Sequence, residues 1–78
     1  MAASGRIRRL RPALRPGREV VVPGGYTTAL GNVISPAARG VLEPSSGRWY
    51  DDAGRAMRYV RFAPRVAYWL PEDLLEAV

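Results

Sequence analysis

Seventy-eight residues suffice for one small domain and not for two. The chain has no cysteine, histidine or lysine, which excludes disulfides, Cys/His zinc sites, Ser-His or Cys-His catalysis and a P-loop. Its formal charge of +5 is unevenly placed: residues 1–18 hold six arginines and no acid, while residues 19–78 hold six arginines against seven acids.

Residues 1–17 read as an extended basic arm. Ile7, Leu10 and Leu14 share one helical face, but Pro12 and Pro16 interrupt it. Two readings stand for the arm, a solvated tail and a segment that orders on an anionic or protein partner. No run approaches the ~18 apolar residues of a membrane span. Arginines interrupt every candidate secretory signal before Val20. An Arg-rich, acid-free start with Ser4 also fits part of the description of a transit peptide, although Gly5, Pro12 and Pro16 oppose the helix such peptides form. Cytoplasmic residence is the expectation, with a virion or an organelle as alternatives.

From residue 18 the chain changes to short β-rich runs separated by turn residues. Residues 18–22 form the first expected strand, with Val20, Val21 and Val22, and Pro23-Gly24-Gly25 ends it. Residues 27–35 form the second, with Leu30, Val33 and Ile34 assigned to the core and Gly31 marking a bulge or sharp bend; Ser35-Pro36 breaks it. Residues 40–43 and 47–50 read as two short strands joined as a hairpin through Pro44-Ser45-Ser46-Gly47, with the register of 36–50 left open. Asp51-Asp52-Ala53-Gly54 is the next turn. Strands over 55–62 and 65–70 follow, separated by Ala63-Pro64. Pro71-Glu72-Asp73 starts a short helical turn, with Pro at the first position and acids at the positive end of the dipole. Leu74, Leu75 and Val78 are expected to close the bottom of the core.

Alternation assigns the faces of the central strand. Ala56, Arg58, Val60 and Phe62 share one side, and Arg55, Met57, Tyr59 and Arg61 the other. Val60 and Phe62 make the better core pair, which turns Tyr59 and Arg61 outward. Five or six strands in so short a body suit an all-β fold, a small curved barrel with a short C-terminal helical turn and an extended N-terminal arm (residues 1–17 and 18–78).

This order of features resembles a small barrel of the Src-homology-three type, and residues 16–33 are similar to the KOW module. Gly17, Val20, Val22 and Gly25 match its spacing: a Gly turn into an alternating strand, then a Gly turn out. The second half departs. A glycine expected near Ala29 is missing, Gly31 and Val33 fall one place early, and Tyr26, Thr27 and Thr28 replace basic residues. The resemblance implies a binding module for nucleic acid, peptides or neighbouring subunits. Fold alone does not fix which.

The arm arginines Arg6, Arg8, Arg9, Arg11, Arg15 and Arg18 are candidates for phosphate neutralisation. Six of seven aromatics fall between Trp49 and Trp69, interleaved with Arg48, Arg55, Arg58, Arg61 and Arg65. Neighbours on a strand face opposite ways, so one of Trp49/Tyr50 and one of Tyr68/Trp69 is expected to point out. Tyr59, Arg61 and Trp69 are the candidate binding face, able to stack bases or grip a proline-rich peptide. The competing reading lays these rings over the ends of the core beneath arginine cover. Asp51-Asp52 and Gly24-Gly25 are explained as turns. No nucleophile–base pair, metal set or cofactor is expected. Two functions follow: a non-enzymatic module engaging nucleic acid or a nucleoprotein assembly, or a structural subunit packing against itself or neighbours, as in a phage head–tail or capsid component.

Overall fold

The computed structural model of the chain describes residues 14–44 and 47–78. The arm arginines Arg6, Arg8, Arg9 and Arg11, and Ser45 and Ser46 of the expected hairpin, lie outside them. The described residues are all-β: β1 (Glu19–Val21), β2 (Tyr26–Thr27), β3 (Val33–Ile34), β4 (Gly40–Leu42), β5 (Arg48–Tyr50), β6 (Ala56–Ala63), β7 (Val66–Pro71) and β8 (Glu76–Ala77). A single 3-10 turn, Glu72–Leu74, links β7 to β8.

Every pairing is antiparallel, and β6 organises the sheet. One of its edges takes β7; the other takes β4 and then β5. β4 pairs onward to β1, and β1 to β8, while β2 and β3 form a separate hairpin. Among the described residues, strand pairing does not join β7 to β8. The turn at Asp51-Asp52-Ala53-Gly54 forms as expected: an Asp51 carboxylate oxygen accepts from the N–H groups of Ala53 and Arg55 at 3.0 and 2.8 Å.

The expected hairpin through Pro44 is not formed, because β4 and β5 do not pair with each other. Leu42 lies opposite Val60 and Arg48 opposite Arg58. They are two pieces of one strand line along β6, on either side of Tyr59. The physical reason is length: β6 has eight residues, enough edge to hold both three-residue pieces.

A second correction concerns residues 27–35. Thr28 closes a tight loop, donating its N–H to the Asn32 carbonyl and accepting the Asn32 N–H on its hydroxyl. Gly31 supplies the sharp bend with φ of 90°. The run therefore doubles back, leaving Leu30 91% and Val33 78% exposed, while Ile34 enters the core. At the C-terminal end Leu75 is buried as expected, but Leu74 and Val78 are exposed.

The core is Val20, Val22, Ile34, Leu42, Val60, Leu70 and Leu75, flanked by Leu14, Tyr26, Ala38, Phe62 and Tyr68. Alternation explains its composition: Val20, Leu42, Val60 and Leu70 all project from one side of the sheet. Each fully buried Val or Leu contributes about 1.5–3 kcal/mol against the cost of ordering the chain. Among the described glycines Gly40 has the least room: a Cβ there would overlap Val60 Cγ1 and sit 2.9 Å from Phe62 Cε1, so any larger residue must displace these side chains.

Candidate functional site

The opposite side of the sheet carries the candidate face. Residues directly across a ladder share a side, so the pairs Trp49↔Met57, Tyr59↔Trp69, Met57↔Pro71, Arg61↔Ala67 and Val41↔Arg61 place all these side chains together. Trp69 is the hub. Its ring centroid lies 5.0 Å from Tyr59 and 5.8 Å from Trp49, with planes tilted by 43° and 49°. Such tilted pairs are a favoured aromatic geometry. Tyr59 and Trp69 are half-buried and Trp49 is half-exposed, while Met57 in the same row is buried.

The predicted trio of Tyr59, Arg61 and Trp69 thus does share one face. The neighbours of each adjacent pair face opposite sides as expected, Trp49 and Trp69 on this face and Tyr50 and Tyr68 on the other. Trp49 and Tyr50 are both exposed, at 50% and 57%, because β5 is short and both its sides reach solvent. Tyr68 and Trp69 are both half-buried, with Tyr68 against Phe62 at 6.3 Å on the core side. Trp49 belongs to the face although it was not assigned to it, and Met57 lies on the side that alternation gave it. The signal was the turn at residues 51–54: once it is placed, Trp49 falls opposite Met57, two residues from Tyr59.

Arg61 is held on this face. Its Nε donates to a Glu43 carboxylate oxygen, and Nη1 donates to the Pro64 carbonyl at 3.0 Å. The hydrogen bond to Glu43, with its charge, raises the Arg61 pKa above the ordinary arginine value, so the guanidinium stays charged. The opposite side of the same strands carries a second ion-pair group. Glu72 accepts from Arg48 at 2.8 Å and from Arg58 at 3.3 Å. Arg48 is raised in the same sense, first by its hydrogen bond to Glu72 and then by one to Tyr50. The Arg58 side chain is 11% exposed, and its buried Nε has no hydrogen-bond partner among the described residues.

Arg15 and Arg18 are exposed at the root of the arm. Leu14 packs on the core, Gly17 donates its N–H to the Leu42 carbonyl at 2.7 Å, and Leu42 donates to the Arg18 carbonyl at 3.1 Å. The next residue, Glu43, donates to the Tyr59 carbonyl and holds Arg61. The basic segment therefore joins the fold beside the aromatic face. Arg6, Arg8, Arg9 and Arg11 lie outside the described residues.

A second apolar feature lies on the core side: an open groove of about 250 Å³ lined by Val33, Ile34, Ser35, Ala38, Phe62, Val66 and Tyr68. No helix of the described residues is long and apolar enough to cross a membrane. No family model, curated protein or solved structure matches this chain.

Proposed function

We propose that the protein is a non-enzymatic binding module for nucleic acid, with unpaired bases stacking on the Trp49/Tyr59/Trp69 face and the arm arginines neutralising phosphates. The observation that carries this reading is adjacency. The root of the six-arginine segment and the aromatic face meet at Leu42 and Glu43. Aromatic platforms and basic tracks are the two parts that single-strand binding requires. Arg61 is already neutralised by Glu43, so long-range attraction comes from the arm and the face supplies contact. In this reading the curved sheet is a small barrel-type scaffold. A strand β1 bounded by turns at Gly17 and Gly25 supports its KOW-like character.

Fluorescence anisotropy with a labelled oligonucleotide tests the reading. Single strands should bind more tightly than duplex, and deleting residues 1–13 should remove most of the affinity at low salt. Equal and negligible binding of both would refute it. The second reading, a structural subunit, is favoured by the exposed tip of the β2–β3 hairpin, where Leu30 and Val33 stand in solvent.

A further inference from the structure

The outer edge of β7 presents main-chain groups that no strand among the described residues takes up. Their direction follows from one hydrogen bond. Glu43 donates to the Tyr59 carbonyl, so Tyr59 turns its main-chain groups toward the β4–β5 line. These groups alternate along a strand. Arg58 and Val60 therefore face β7, where they meet Leu70 and Tyr68. Ala67 and Trp69 consequently direct their N–H and C=O groups away from the sheet, and β7 pairs with β6 alone.

An open edge is a template for another strand unless charge, proline or a cover blunts it. Here blunting is confined to the ends, at Arg65 and Pro71. The residues between them, Val66, Ala67, Tyr68, Trp69 and Leu70, carry no charge.

We propose that a second copy of this chain occupies the edge, joined β7 to β7 in antiparallel register about a two-fold axis at Tyr68. In that sense the edge is self-complementary. Ala67 of one copy lies opposite Trp69 of the other, a small side chain against a large one, and both residues present the groups needed for a hydrogen-bonded pair. In that register Arg65 of one copy lies opposite Pro71 of the other, and Asp73 follows two residues beyond Pro71, a diagonal separation that a long side chain spans. Among the described residues neither Arg65 nor Asp73 forms an ion pair. A parallel arrangement would instead set arginine beside arginine. The pairing is isologous and closes at two subunits. It also brings both Trp49/Tyr59/Trp69 faces onto one side of a continuous sheet, which doubles the surface offered to a partner.

The inference does not depend on what that partner is. Light scattering and sedimentation over a concentration series test it, using the full chain and no nucleic acid. The expected mass is twice 8.6 kDa, with dissociation on dilution. Ala67→Pro deletes an outward N–H without touching the β6 ladder, and should weaken association by about tenfold or more with an unchanged far-ultraviolet spectrum. Arg65→Asp and Asp73→Arg should each weaken it, and the double exchange should restore it. That route serves if the proline variant does not fold. A wild-type chain that stays monomeric to about 0.5 mM, or a folded Ala67→Pro chain that associates like the wild type, overturns the proposal. So does a double exchange that restores nothing. Oligonucleotide binding by a monomeric Ala67→Pro chain would leave the nucleic-acid reading standing on its own.

Discussion

Tyr59 and Trp69 face each other directly across the β6–β7 ladder, with ring centroids 5.0 Å apart and Trp49 tilted against Trp69 at 5.8 Å. In the proposed reading this contact links stability to recognition, because the rings that share the outer side of the sheet with Met57 are the surface that bases would meet.

The two tryptophans should consequently separate on mutation. Trp49→Ala removes a half-exposed ring and one aromatic contact, at a cost of about 1 kcal/mol or less. Trp69→Ala removes the hub of both contacts and should cost about 2–3 kcal/mol. Urea denaturation measures both. Oligonucleotide affinity should fall several-fold for Trp49→Ala even though its fold persists, which makes it the cleaner probe of the face.

Gly40→Ala should be among the most damaging single-methyl additions. The new Cβ would overlap Val60 and crowd Phe62, and overpacking of this kind costs about 1–3 kcal/mol. In a domain of this size that lowers the melting midpoint by about 4–8 °C per kcal/mol. Calorimetry reads the shift directly. A midpoint equal to the wild type would mean that the Val60 and Phe62 side chains give way without cost.

The ion pairs should rank by burial. Glu72→Gln leaves the largely buried Arg58 guanidinium without its counter-charge, in a group whose Nε already has no partner among the described residues. A loss of about 1–3 kcal/mol is expected. Glu19→Gln breaks the solvent-exposed contact to Arg39 at 3.6 Å and should change stability by less than about 0.5 kcal/mol. Thermal melts of the two variants side by side test the order.

Salt dependence should identify the arm. With six arginines available up to residue 18, the slope of log affinity against log salt for a single strand should be no steeper than about −4. Deleting residues 1–13 leaves Arg15 and Arg18 and should reduce that slope to about −1.4 or shallower. An unchanged slope would locate the phosphate contacts on the body instead.

Much of the fold was legible because local chemistry and alternation agree. The valines before Pro23, the Asp51–Gly54 turn and the faces of residues 55–62 each follow from neighbours in sequence. The errors arise where pairing is non-local. Pro44-Ser45-Ser46-Gly47 carries good hairpin residues, and nothing nearby says that β6 is long enough to take β4 and β5 end to end. Leu30 and Val33 are apolar, yet Thr28 turns their run back on itself and leaves only Ile34 inside. Tyr59, Arg61 and Trp69 were found as a face because alternation gives sides directly. Trp49 was missed because its side depends on register across β5 and β6. That Glu43 restrains Arg61 could not be read at all: they stand eighteen residues apart in sequence.

The most direct test of the central claim is intrinsic tryptophan fluorescence, because the only two tryptophans in the chain, Trp49 and Trp69, both lie in the aromatic face. Titration with an unlabelled single-stranded oligonucleotide at low salt should produce saturable quenching. Raising the salt, or deleting residues 1–13, should abolish it. Emission that stays unchanged at low salt while the chain remains folded would contradict a base-stacking role for this face.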